Sequence, residues 1–373
     1  MNFLGISKKR FFRTYSVFLT FAMALVTVLG TSACNQSVEQ SFQGPIMGTQ
    51  YKLTLACETD KSAQALLDIA VAEMTAVNDS MSTYLADSEL NEFNQNKGLD
   101  WKSISSDLLK VMEIAQSVSI KSDGAFDVTV SPLVNLWGFG PSREKQLTPI
   151  IPNDEKLQAI KAMIGYNKIE INAAKQQWRK QVSNLQVDLS AVAKGYAVDK
   201  VSDALVDAGC LGHLVDIGGE LKLKGSKNKK GDLWRIAIEA PSFSNTQVSN
   251  IQNVLDISDI GVASSGDYRN FYQVDGKRYS HTIDPRTTRP IEHNLAAVTV
   301  LHEQTAVADA WATALMVLGD EGPEYAEKNK LAAYFVFREL GVAKGDIVVE
   351  DSKNAKKYRI IATKQFEKSS LNK

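Results

Sequence analysis

Apolar and polar positions alternate along this chain with two different periods, and the changes of period mark its elements. In "MGTQYKLTLA", Tyr51, Leu53 and Leu55 fall two apart, the spacing of a strand with one buried face. Helical spacing follows over roughly residues 61–79 and again over 106–121. Short strands are expected within 167–188, and then "VDLSAVAKGYAVDK" (187–200) opens another helix. There Ala193, Ala197, Val201, Ala204 and Leu205 form one apolar stripe, Asp188 and Ser190 stand as caps, and Gly209 supplies the stop. Gly195 interrupts this helix at a cost of about 1 kcal/mol against alanine, which is tolerated when something must approach the backbone closely.

Later, "NFYQVDGKRYSHTID" reads as a hairpin whose Asp275-Gly276 pair suits a type I′ turn. "LAAVTVLH" reads as a buried strand, and "TAVADAWATALMVLG" as an apolar helix with Thr305 as N-cap and Gly319 as stop. "LAAYFVFREL" and "YRIIAT" are strand-like. "PSREKQLTPIIPNDEK", with three prolines, reads as an exposed excursion. Strands and helices mix without a repeating βα unit. The expected fold is therefore α+β, a mainly antiparallel sheet flanked by helices.

Composition changes the picture in two places. The chain has 373 residues, 44% of them hydrophobic, ample for a sizeable core, and its length fits one large domain or two smaller ones. A net charge of −1, with no basic stripe among aromatics, argues against a nucleic-acid partner. The N-terminus is a separate object: Lys8, Lys9, Arg10 and Arg13 precede the apolar run "VFLTFAMALVTVL" and then "GTSAC", the layout of a bacterial export signal. That run is shorter than the ~20 residues of a spanning helix. "TSAC" looks like a lipobox, with Thr31 where leucine is usual, so Cys34 is the expected lipidation site. Residues 1–33 are then a removed signal, 34–43 a polar tether and 44–365 the folded domain. For Cys57 and Cys210 two buried free thiols are the default expectation and a disulfide the alternative. With these cysteines and four histidines there is no zinc-type spacing.

The polar residue that fits its element worst is Asp309, inside an apolar helix. A carboxylate buried there must be paired, hydrogen-bonded or metal-bound. Thr313 lies one turn on, and oxygens at i and i+4 suit a hard cation such as Mg²⁺; a cap on a neighbouring element is the alternative. "DIGGELKLKG" sets Asp216 before Gly218-Gly219, "GVASSGDYRN" has the composition of an anion-holding turn, and His281 ends a hairpin strand just before an Asp-Pro turn. Walker, Rossmann and G-x-S-x-G signatures are absent from the sequence.

Taken in order, "GPIMGTQY", "GAFDVTVSPLVNLWGFG", "VDLSAVAKGYAVD", "LVDIGGEL", "GVASSGDYRN", "YSHTIDPRT" and "TAVADAWATAL" resemble the signature blocks of the ApbE family, over roughly residues 44–320. The resemblance implies a T-fold-related architecture and a Mg²⁺-dependent enzyme. Such an enzyme splits FAD at the diphosphate, joins FMN through its phosphate to a threonine or serine of another protein, and releases AMP. The implied acceptors are flavin-carrying subunits of membrane redox complexes, of the Na⁺-translocating NADH:quinone reductase or Rnf type, marked by an S/T-G-A/S-T motif that this chain lacks. The implied location is the periplasmic side of the inner membrane, held by a lipid anchor. Matched position by position, the resemblance puts the metal at Asp309, Thr313 and the Ala191 carbonyl. FAD falls to Met47, Tyr84, Ala125, Phe126, Asp127, Asp188, Lys194 and Ile283. A hydroxyl nucleophile needs a base, for which His281 is the first candidate and Asp284 an alternative base or an orienting partner. An FAD pyrophosphatase and a non-enzymatic FAD-binding lipoprotein are the competing readings.

Overall fold

The computed structural model describes residues 39–140, 151–239, 251–267, 270–338, 347–351 and 356–371. Among them, nine strands pair into one antiparallel sheet. Its order is Gln40–Ile46, Thr49–Leu55, His213–Ile217, Glu220–Lys224, Ile260–Gly266, Leu295–His302, Ala332–Arg338, Lys356–Ala362, Ile347–Asp351. The export signal, Cys34 and the first tether residues lie outside the described residues.

Each face of the sheet carries its own core. On one face the helices Ala63–Met81, Ser106–Lys121, Ala193–Asp207 and Thr305–Leu318 bury Ala263, Val298, Val300, Ala333 and Phe335. On the other, a hairpin of Trp234–Glu239 with Ile251–Ile257, and the helix Lys364–Leu371, cover Val262, Ala297, Leu301 and Tyr334. Layers on both faces explain why "LAAVTVLH" is mostly apolar instead of alternating: seven of its eight residues are buried. The hairpin strand buries Trp234, Ile236 and Ile238 and exposes Arg235, Ala237 and Glu239, as a one-faced strand must.

The feature that makes room for a site is a step in the sheet. Glu220–Lys224 pairs with Ile260–Gly266 only across Ile260, Gly261 and Val262. Its chain then turns away through Gly218 and Gly219, at φ 65° and 102°, a conformation that glycine adopts without strain. The longer strand runs on to Gly266 beyond it.

Several expectations hold, the first helix lying two residues later than its spacing placed it. The helices form at Ala63–Met81 and Ser106–Lys121, and Asp275 and Gly276 both take positive φ, as a type I′ turn requires. Others are corrected. Gln40–Gln43, read as tether, begin an edge strand, where an outward face has no need of apolar residues. Of the proline-rich excursion, residues 141–150 lie outside the described residues, while Asn153 caps a helix over Asp154–Lys161 that buries Leu157. The two cysteines are not free thiols but a disulfide, Cys57–Cys210, with Cα atoms 5.0 Å apart. Their elements end side by side: the Ala56 amide donates to the Gly212 carbonyl at 2.8 Å.

Candidate active site

The site grows from the contact between two helices, Ala193–Asp207 and Thr305–Leu318. Neither begins with a side-chain cap of its own. The expected caps are displaced: Thr305 sits inside the first turn, behind an N-cap at Gln304. Asp188 instead accepts from the Ser190 amide at 2.9 Å, and residues 190–192 form a turn before the helix starts. The helices cap each other. Asp199 accepts from the Thr305 and Ala306 amides, both at 2.9 Å, while Asp309 Oδ2 accepts from the Gly195 amide at 3.1 Å. Each aspartate lies four residues beyond the first-turn residue that meets the other helix, so the exchange is nearly symmetrical.

Gly195 makes this crossing possible. A Cβ there would stand 2.6 Å from the Thr305 carbonyl oxygen and 2.8 Å from Ala306 Cα. What comes close to its backbone is the other helix.

A cleft of about 600 Å³ opens where the sheet steps, and its wall changes character from one side to the other. The helix side is polar, with Asp188, Ser190, Ala191, Lys194, Glu220, Asp309 and Thr313; the hairpin side is apolar, with Ile236, Ile238, Val262 and Ala297. On the apolar side Ser264 and Thr299, opposite each other on neighbouring strands, share a 2.8 Å hydrogen bond.

Electrostatics on the polar side centre on Lys194. Its ammonium lies 2.7 Å from Glu220. Burial opposes its charge, but Asp309 and Glu220 outweigh that and raise its pKa. Glu220 is pushed up to about 8 by burial and then by repulsion from Asp309, against the pull of Lys194. Asp309, 5% exposed, is raised by burial, with Lys194 and the Gly195 amide pulling the other way. A carboxylate so destabilised as an anion is suited to receive a cation. With the Thr313 hydroxyl and the Ala191 carbonyl on the same cleft wall, the available set is all oxygen, which suits a hard cation that keeps several waters. Among the described residues, no group of three or more His, Cys, Asp or Glu side chains gathers as a metal site.

His281 lines the cleft, with Nδ1 3.0 Å from the Asn270 carbonyl oxygen. A carbonyl can only accept, so Nδ1 carries the hydrogen and Nε2 is left with its lone pair. Burial lowers the His281 pKa and favours that neutral form.

Of the residues singled out from the sequence, Ala125, Phe126, Asp127, Asp188, Ala191, Lys194, His281, Ile283, Asp309 and Thr313 share this cleft. Asp127 is occupied internally, accepting from the Thr129 amide and hydroxyl and from the Tyr166 amide. Three residues are placed elsewhere. Asp284 is not among the residues that line the cleft, although Ile283 and Pro285 on either side of it are, and its carboxylate pairs with Arg286 at 2.9 Å. Met47 occupies the turn between the first two strands at φ 48°, half-buried against the main core. Its neighbour Thr49 abuts Gly218 of the cleft wall. Tyr84, 77% exposed, lies in the turn after the Ala63–Met81 helix. Glu220, Asp199 and the Ile236–Ile238 wall were not singled out, although period-two alternation in "WRIAIE" marked the last of these.

Comparison with known proteins adds a separate line of observation. Residues 47–335 match the model of the ApbE family. A protein of Vibrio cholerae serotype O1 described as "FAD:protein FMN transferase" is 41% identical over 322 residues, covering 85% of this chain and 93% of its own. The solved flavin transferase ApbE from Vibrio cholerae superposes with a TM-score of 0.76 at 37% identity, over 89% of this chain and 99% of that one. The apo form of the Pseudomonas stutzeri flavinyl transferase ApbE gives 0.77 at 36% identity, over 90% and 98%.

Proposed function

This chain belongs to the ApbE family and is a flavin transferase, and from that premise we propose that it moves FMN from FAD to a serine or threonine hydroxyl of another protein, with Mg²⁺ required and AMP released. The observation that carries the finer reading is the meeting of Lys194, Asp309, Thr313 and Ala191 on one wall of the cleft.

The acceptor oxygen attacks the flavin-side phosphorus of FAD, and the bond from that phosphorus to the bridging oxygen breaks. The electron pair leaves on the AMP phosphate, and the hydroxyl proton passes to His281 Nε2. Lys194 has three donors, so it can keep Glu220 and still reach a diphosphate oxygen. Glu220 thereby aims the ammonium instead of quenching it. Asp309, Thr313 and the Ala191 carbonyl would hold Mg²⁺, which supplies neutralisation of the diphosphate charge. His281 held neutral, with Nε2 left unprotonated, matches the need for a base near neutral pH.

The acceptor is read as a subunit of a membrane redox complex carrying the S/T-G-A/S-T motif. An extracytoplasmic, lipid-anchored location on the inner membrane is part of the same proposal. Cys57–Cys210 supports it, because disulfides persist in oxidising compartments. Among the described residues no helix is long and apolar enough to cross a membrane.

The test is incubation with FAD, Mg²⁺ and a soluble domain bearing an S-G-A-T sequence, reading intact mass and released nucleotides. A gain of one FMN with equimolar AMP is expected. Free FMN and AMP without an adduct would favour the pyrophosphatase, and bound, unbroken FAD the carrier.

A further inference from the structure

The stretch Leu185–Val187 delivers Asp188 to the cleft, and among the described residues no strand pairs with it. Its backbone is nevertheless engaged from behind. Asn94, buried in the last turn of the Glu89–Gln95 helix, donates through Nδ2 to the Val187 carbonyl at 2.8 Å. Its Oδ1 accepts from the Val187 amide at 2.7 Å. One carboxamide thus satisfies both backbone groups of a single residue, as a neighbouring strand would.

Asn94 is itself held. The Lys180 ammonium, buried at the end of Gln177–Lys180, donates to the carbonyls of Phe93 at 2.9 Å, Asn94 at 3.4 Å and Leu185 at 3.2 Å. Phe93 stacks on Trp178 with ring centroids 3.6 Å apart. Downstream, the Asp188 amide donates to the Val128 carbonyl at 2.7 Å, and the 190–192 turn follows at once. Neither Asn94 nor Lys180 lines the cleft.

We propose that Asn94, seated on the Lys180 cradle, is a positioning residue for FAD. It fixes the Val187 peptide, and through it the places of Asp188, Ser190 and Ala191 on the cleft wall. This deepens the assignment of the cleft to FAD and rests on it. Misplacement of about 1 Å by a residue outside the reacting groups can cost on the order of 100-fold in rate.

The test compares wild type with Asn94→Asp. That variant keeps the shape and the acceptor for the Val187 amide but turns a carboxylate oxygen toward the Val187 carbonyl. FAD affinity is read by flavin fluorescence well below the melting temperature, with kcat and KM for FAD measured beside it. We expect Kd and KM for FAD to rise at least ~10-fold, with kcat at saturating FAD changed less. A variant that melts earlier yet binds FAD within twofold of wild type would reduce Asn94 to a core residue. Wild type that fails to bind FAD would remove the cleft assignment and this inference together. Should the variant not fold, hydrogen exchange on the wild-type protein decides. The Val187 amide should be among the slowest, with protection over 187–192 rising on addition of FAD; exchange at open-loop rates, or no response to FAD, would overturn the proposal.

Discussion

Substituting Gly195 with alanine tests whether the mutual capping of the two helices builds the site. The new Cβ would meet the Thr305 carbonyl oxygen at 2.6 Å and Ala306 Cα at 2.8 Å, both backbone atoms that cannot rotate away. Ordinary contact at about 3.4 Å or more requires the helices to part by about 0.8 Å. Taken along the capping bond, that stretches the 3.1 Å contact from Gly195 to Asp309 past hydrogen-bond range. Overpacking of this kind costs about 2 kcal/mol and a weakened cap about 1 kcal/mol. Alanine returns about 1 kcal/mol through helix propensity, leaving a net loss of about 2 kcal/mol. In a unit of this size the melting temperature then falls by roughly 4–8 °C at most. Activity should suffer more, because Asp309 and Thr313 ride on the helix that is displaced. We expect flavin transfer, assayed at 20 °C by intact mass, to fall at least ~10-fold while circular dichroism still shows a folded protein. A Gly195→Ala protein with raised stability and full transfer would refute the reasoning, since it would show that the close approach is not required.

Other predictions follow from the same geometry. His281→Ala should retain FAD binding and slow transfer at least ~100-fold, and the wild-type rate should fall in acid as His281 protonates below its usual pKa; unchanged turnover would exclude it as the base. His213, buried between Ser202 and the Cys210 carbonyl, is lowered to about 4 by burial, so it stays neutral in the fold while the unfolded chain titrates near 6.5. Its contribution is therefore complete above about pH 6.5 and is lost toward pH 4, by roughly 3 kcal/mol. Urea midpoints at pH 7 and 4.5 should show a drop that shrinks in His213→Asn, and an equal drop in both proteins would contradict this. Cys57–Cys210 closes a separation of 153 residues, so paired Cys57→Ser and Cys210→Ser changes should cost about 2–5 kcal/mol in chemical denaturation, whereas an unchanged midpoint would mean the bridge contributes nothing.

What could be read from the sequence was what period and turn chemistry encode locally. The Thr305–Leu318 helix, the 295–302 strand and the Asp275-Gly276 turn are of this kind, each specified by its own residues. Asp309 stood out because a charge in an apolar helix demands a partner, and in the fold it finds one as a cap on the neighbouring helix while also lining the cleft. What escaped was set by contacts between distant segments. Asp199 caps a helix 106 residues away and Asn94 mimics a strand for Val187, and no local pattern announces either. The pairing of Asp284 with Arg286 was equally unannounced, because the arginine could as easily have pointed to solvent. The disulfide likewise depends on the pairing of Thr49–Leu55 with His213–Ile217, which spacing alone does not reveal.

The central claim, that Asp309 is the pivot on which cation, diphosphate and helix contact turn, is tested most directly by Asp309→Asn. Asparagine keeps an acceptor for the Gly195 amide, removes the charge and turns the second oxygen into an NH2 donor. FMN transfer to an acceptor domain would be followed by intact mass across a Mg²⁺ titration, in the variant and in wild type. The account predicts saturable, Mg²⁺-dependent transfer by wild type and none by the variant at any Mg²⁺ concentration, with both proteins folded. Transfer by Asp309→Asn at near wild-type rate, with the same Mg²⁺ dependence, would contradict it.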